Sequence, residues 1–131
     1  DRISYFDGLF NEKHIPQLHF SIRRGCLIDP NGLVYYEREY HLFDQHKTYE
    51  WELGNMHWGH ALNNDLIHWV QSPIALCSDE NALCFSGETL IDKYYSSDFG
   101  KHPMVALYMF VAKEQTQSLA YSLENGRSVP F

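Results

Sequence analysis

Apolar and polar positions alternate over short runs along most of the chain, and turn-forming residues separate the runs. Leu33 to Tyr36 and Tyr40 to Phe43 flank Glu37-Arg38-Glu39, a pattern that predicts a β-hairpin with a polar tip. Met56 to Leu62 predicts another strand, closed by the turn Asn63-Asn64-Asp65. Further strands are expected at Leu66 to Val70, Pro73 to Cys77 and Cys84 to Asp92. The clearest strand signal is Met104 to Val111, where Val, Leu, Tyr and Phe crowd together. Ser118 to Ser122 is the last, closed by Glu124-Asn125-Gly126. No stretch long enough for a helix carries an apolar stripe at helical spacing, so the chain is expected to be all-β. Strands about every ten residues suit a sandwich, a barrel or propeller blades, and periodicity does not choose among them. Asp65-Leu66-Ile67-His68-Trp69 and Ser118-Leu119-Ala120-Tyr121-Ser122 echo one another weakly, as outer strands of successive blades would.

Composition supports a packed core: 44% of the 131 residues are hydrophobic and 15% aromatic, which sets the chain apart from disordered sequences. Most of the rings are accounted for by a β-sheet core, although aromatics also stack well on sugar faces. Ten basic against seventeen acidic side chains leave a net charge of -7, and Arg23-Arg24 is the only basic cluster. A phosphate backbone would be repelled, so no nucleic-acid partner is expected; a neutral sugar fits this balance. The longest apolar run, Met104 to Ala112, is strand-sized, so no membrane partner is expected either. Asp1 to Tyr5 lacks a basic region followed by an apolar stretch, so no signal peptide is expected in this chain. Cys26, Cys77 and Cys84 lack metal-ligand spacing and read as reduced, buried small residues. His41, His46, His57, His60 and His68 follow no closed ligand pattern, so neither a metal nor another cofactor is expected.

Asp29-Pro30-Asn31-Gly32 is the first candidate for chemistry. Proline holds the residue before it extended, and Asn31-Gly32 reads as a tight turn leading into a strand. A carboxylate fixed in this way suits nucleophilic work, where small positional errors are costly. On its own the tetrapeptide reads more readily as an ordinary β-turn.

Its context changes that reading. Cys26-Leu27-Ile28-Asp29-Pro30-Asn31-Gly32-Leu33 resembles the Trp-Met-Asn-Asp-Pro-Asn-Gly-Leu segment of glycoside hydrolase family 32, which holds the invertases, levanases and inulinases. Tyr40-His41-Leu42-Phe43-Asp44-Gln45 is similar to the family's Tyr-His-Leu-Phe-Tyr-Gln segment. Gly54-Asn55-Met56-His57-Trp58-Gly59-His60-Ala61, Asp65-Leu66-Ile67-His68-Trp69, Pro73-Ile74-Ala75-Leu76 and Phe85-Ser86-Gly87 follow in family order. The resemblance runs from about Gln17 to Arg127.

It implies the first blade and part of the second of a five-bladed β-propeller, with residues 1–131 forming a partial N-terminal glycosidase domain. The rest of the propeller and any C-terminal β-sandwich are expected to lie outside this chain. The implied activity is removal of terminal fructofuranosyl units from sucrose, levan or inulin by a retaining double displacement. In such enzymes one carboxylate attacks and one carboxylic acid protonates the leaving oxygen, about 5–5.5 Å apart. By resemblance Asp29 is the nucleophile, Gln45 bonds the fructosyl unit, and Phe85 and Ser86 line the same subsite. Ile28 and Leu53 stand where the family has a sugar-contacting asparagine and an aromatic pocket wall. Asp44 replaces a family tyrosine and is expected to face solvent. No Arg-Asp or Glu-Cys dipeptide occurs, so the family's acid/base segment is missing and the chain alone is expected to be inactive. Two alternatives stand beside this reading: a degenerate carbohydrate-binding or interaction protein of the same ancestry, and an unrelated β-sandwich. The blade reading also predicts exposed sheet edges and apolar faces through which the chain self-associates. A secreted setting is favoured over an intracellular one.

Overall fold

The computed structural model describes residues 13–14, 19–22, 25–47, 56–78 and 82–127. Among them are seven strands: β1 Cys26–Tyr36, β2 Glu39–Lys47, β3 Met56–Asn63, β4 Val70–Leu76, β5 Leu83–Ile91, β6 Met104–Val111 and β7 Gln115–Ser122. They form two antiparallel sheets, β1-β2-β3-β4 and β5-β6-β7, each a meander of consecutive strands. No strand crosses from one sheet to the other, unlike the Greek-key connections usual in sandwiches. One full four-stranded blade and three strands of the next make this all-β chain a portion of a five-bladed β-propeller.

The expected hairpin is present with a shorter tip. Glu39 already pairs with Tyr36, leaving Glu37 and Arg38 as a two-residue turn at φ 50° and 70°. Positive φ at both central positions gives the turn whose twist matches its strands. The tip is tied to the second sheet, where Asn125 Nδ2 donates to Glu37 Oε2 at 2.9 Å and Arg127 pairs with Glu39.

Leu66 to Val70 is not a strand. Asn63 Oδ1 accepts the backbone N–H groups of Asp65 and Leu66, while Asp65 Oδ1 accepts those of Ile67 and His68 at 2.9 and 2.8 Å. These side chains capture the donors a sheet ladder would need, and Leu66 sits at φ 65°. The chain re-enters the sheet only at Val70, so the echo between 65–69 and 118–122 has no structural counterpart. Pro73 lies exposed in β4, an edge strand, where a missing N–H is tolerated.

The core lies between the sheets. Phe43 and Trp58 pack with Ala75, Leu76, Cys84, Met104 and Ala106, and Tyr108 meets Trp58 edge-on at 6.0 Å. Beside them His60 stacks on Phe43, with ring centroids 4.5 Å apart, and its Nε2 lies 3.1 Å from Nδ1 of His41. One of these nitrogens must donate and the other accept. The contact excludes protonation of both rings, and burial of His41 and His60 at 0% and 1% exposure favours the uncharged state. Burial lowers the pKa of both; with His41 beside it, His60 falls to about 4. Gly87 marks another tight place, since a Cβ there would fall 2.0 Å from the Leu107 carbonyl oxygen.

The outer face of the second sheet carries Leu90, Leu107, Leu119 and Tyr121, each more than 40% exposed. A sandwich complete within these residues would have covered its apolar surface; a propeller blade presents such a face to the next blade. Cys26 and Cys77 are exposed rather than buried, because both sit at the outer limits of edge strands; Cys84 is in the core.

Two outcomes follow from this packing. A histidine neutral in the fold but protonated when unfolded takes up a proton on unfolding. The stability held by the His41–His60 pair is therefore complete above 6.5 and falls as the pH drops toward about 4. For His60 the loss is on the order of 3 kcal/mol. Denaturant titrations at several pH values should show His60→Gln losing less stability than the parent over that window; parallel losses would refute the assignment. Gly87→Ala should lower stability by roughly 3 kcal/mol through backbone overpacking, read from the denaturation midpoint.

Candidate active site

Asp29 does not sit in a turn. Asp29-Pro30-Asn31-Gly32 lies within β1, which pairs Leu27 with His46, Pro30 with Asp44 and Gly32 with Phe43. Each step carries one extra residue on β1, so the strand is bulged twice in succession. Proline explains the first irregularity, since it has no N–H for the ladder. Gly32 explains the second: a Cβ there would lie 2.9 Å from Thr89 Oγ1, so β1 and β5 approach closely only without one. Asp29 lies within this doubly bulged strand start, exposed to solvent like the rest of residues 25–30.

Gln45 lies opposite this bulge, between His46 and Asp44 on β2. Its side chain is 1% exposed, and its Nε2 donates to the Cys84 carbonyl at 3.0 Å. Its Oε1 is buried and has no hydrogen-bond partner among the described residues. Phe85 and Ser86 follow directly on β5, the first half-buried and the second exposed. Gln45 therefore connects the strand that bears Asp29 with the segment that bears Phe85 and Ser86. Ile28 stands 48% exposed on the bulge beside Asp29. Leu53 lies outside the described residues.

Asp44 is buried at 2%, contrary to the expectation that it faces solvent. Its carboxylate occupies the niche over Gly59, where a Cβ would fall 2.6 Å from Oδ2. His46 Nδ1 lies 3.5 Å from Asp44 Oδ1, and His46 pairs across the ladder with His57. Burial, and after it the neighbouring His46, lowers the pKa of His57. Among the described residues no group of three His, Cys, Asp or Glu side chains is placed to hold a metal ion.

Two residues near the site were not singled out from sequence. Trp58 pairs with Gln45 across the ladder, and its Nε1 donates to the Phe85 carbonyl at 2.9 Å. Its place opposite Gln45 depends on the β2–β3 register, which the motif order does not reveal. Asn31 is 2% exposed, with both amide atoms lacking partners among the described residues. Its strand neighbourhood hinted at a turn, not at a buried amide.

The opposite ends of the strands hold a separate, open cleft of about 610 Å³ between the Glu37–Glu39 hairpin tip and the turn through Asn125 and Arg127. Its ion pair and amide bond serve to join the sheets, and it lies away from Asp29.

Comparison with known proteins places this geometry. Levanase of Bacillus subtilis is 45% identical over 129 residues, covering 95% of this chain and 18% of that protein. The extracellular exo-inulinase of Aspergillus awamori is 38% identical, with 89% of this chain and 26% of that protein covered. The crystal structure of that exo-inulinase superposes with a TM-score of 0.83 at 36% identity, over 90% of this chain and 27% of the other. The β-fructofuranosidase of Schwanniomyces occidentalis complexed with fructosyl-erythritol gives 0.79 at 33% identity, over 86% and 24%. The chain thus spans about a quarter or less of the length of these relatives. The model of the glycosyl hydrolases family 32 N-terminal domain matches residues 19–130, and the chain belongs to that family.

Proposed function

We propose that this chain supplies the nucleophile side of the active site in a glycosidase that releases terminal fructofuranosyl units from sucrose or fructans. The observation that carries the reading is the exposed Asp29 on a doubly bulged strand, with Gln45 opposite it and bonded to the segment leading to Ser86. In the first step the Asp29 carboxylate attacks the fructosyl anomeric carbon and displaces the leaving sugar. In the second, water cleaves the fructosyl ester with retention of configuration. The Gln45 amide, whose Oε1 is buried without a partner among the described residues, would turn toward the sugar to bond a hydroxyl. Phe85 and Ser86 would line the same subsite. Ile28 would face the sugar through an apolar surface where the family presents an amide, and Leu53 would form part of the pocket wall.

The reaction also needs an acid to protonate the leaving oxygen. This chain contains no Glu-Cys segment to match the family's, so that acid is assigned to further blades of the propeller, beyond the partial domain formed here. The relatives' names, levanase, fructan beta-fructosidase and exo-inulinase, support the substrate class. The name extracellular exo-inulinase supports a secreted setting.

In a polypeptide carrying this chain and the remaining blades, Asp29→Asn should reduce fructose release from sucrose, levan or inulin by about 10⁴-fold. Retained turnover, measured by fructose assay, would remove Asp29 from the nucleophile's role. Produced alone, the chain should release no fructose from sucrose, levan or inulin and should self-associate through the Leu90, Leu107, Leu119 and Tyr121 face. Sedimentation that stays monomeric as concentration rises would contradict the second expectation.

A further inference from the structure

β5 begins out of register with its neighbour. Cys84 pairs with Phe110, and the next pair is Gly87 with Tyr108, so three steps on β5 span two on β6. A bulge of this kind takes Phe85 and Ser86 out of the regular ladder. Backbone carbonyls at such a break need donors from elsewhere. Two arrive side by side from the first sheet. Gln45 Nε2 donates to the Cys84 carbonyl at 3.0 Å, and Trp58 Nε1 donates to the Phe85 carbonyl at 2.9 Å. Gln45 and Trp58 are direct partners across the β2–β3 ladder, at 1% and 0% exposure. Their spacing therefore comes from an unbroken register rather than from mobile surface side chains. On the far side of the bulge Gly87 lies against the Leu107 backbone, which fixes where β5 rejoins β6. Phe85-Ser86 is thus anchored at both ends.

We propose that Trp58 is a positioning residue for fructosyl binding, acting through the Phe85 carbonyl to set Phe85 and Ser86 relative to Asp29. The proposal rests on the reading of Asp29, Gln45 and Ser86 as one subsite. Trp58 also fills the core against Phe43 and Tyr108, so its ring and its N–H do separable work. The ring holds the sheets together. The N–H holds one carbonyl, and through it the direction in which the next residue faces.

The test is steady-state kinetics on sucrose and inulin with the full polypeptide containing this chain. Trp58→Phe keeps a ring and removes the donor. The expected result is a KM raised about tenfold with kcat changed by less than about threefold, the pattern of lost substrate positioning. Ser86→Ala should raise KM as well, and the double variant should be little worse than Ser86→Ala alone, because both act on one segment. Trp58→Phe with unchanged KM, or effects that multiply in the double variant, would overturn the proposal and leave Trp58 a core residue only. Should Trp58→Phe fail to fold, benzothienylalanine at position 58 preserves the ring shape and deletes only the N–H, and the same KM criterion decides. Absence of fructoside turnover in the parent would instead overturn the underlying reading, and this inference with it.

Discussion

A buried carbonyl needs a donor, and where a strand leaves its ladder the donor must come from another element. At the start of β5 that requirement joins the two sheets. Gln45 and Trp58 reach across from β2 and β3 to the consecutive carbonyls of Cys84 and Phe85, beside the apolar contact of Phe43 and Trp58 with Met104 and Ala106. Apolar burial supplies most of the attraction between the blades but is indifferent to small slides. Two hydrogen bonds to adjacent carbonyls are not, so they fix the offset of one blade on the next. That offset sets how the Phe85-Ser86 segment stands to the strand bearing Asp29.

The same logic runs along β1. Two successive bulges interrupt a strand that otherwise pairs regularly with β2 from Gly32 to Tyr36. Pro30 removes a donor, and Gly32 admits Thr89 of the second sheet at close range. Both chain irregularities, at Asp29 and at Phe85-Ser86, thus fall at the same end of their sheets. The regular ends of the strands carry joining contacts too, the Glu39–Arg127 pair and the Asn125–Glu37 bond, while His41, His60 and Phe43 stack within the first sheet. Regular pairing provides the frame at one end, and interrupted pairing leaves backbone and side chains available at the other.

Most of this frame was legible in the sequence because strands with one buried face leave a periodic trace. Met104–Val111 was read to the residue, and β2, β3 and β5 to within a few. The failures come from local contacts that periodicity cannot see. Asn63 and Asp65 divert the N–H groups of 65–68 from any ladder, turning an apparent strand at Leu66 to Val70 into a capped bend. Asp44 looked like a surface carboxylate because carboxylates usually are. It is buried because Gly59, fifteen residues further on and opposite it in the ladder, leaves room for it. The resemblance of their segments singles out Asp29 and Gln45, whereas the bond from Trp58 to the Phe85 carbonyl leaves no trace there, since it depends on register between strands.

The buried polar groups near Asp29 bear on why the bulged end is retained. Asn31 and Gln45 together leave three amide atoms without partners, a destabilising arrangement in a core. A protein selected for stability alone would pair them or replace them with apolar groups. They cluster on or beside the Asp29 bulge, with Gln45 also in contact with β5, and in the proposed function a polar ligand reaching them would satisfy them. A sugar offers many hydroxyls, each able to donate and accept, and so satisfies such atoms without adding charge. The net charge of -7 argues against a phosphate or nucleic acid in that role. Ile28, exposed beside Asp29 where a resembling segment would place an asparagine, makes this surface less polar on one side. In the proposed function, recognition would shift from that position toward Gln45 and Ser86, and so toward the contact between blades that holds them in place.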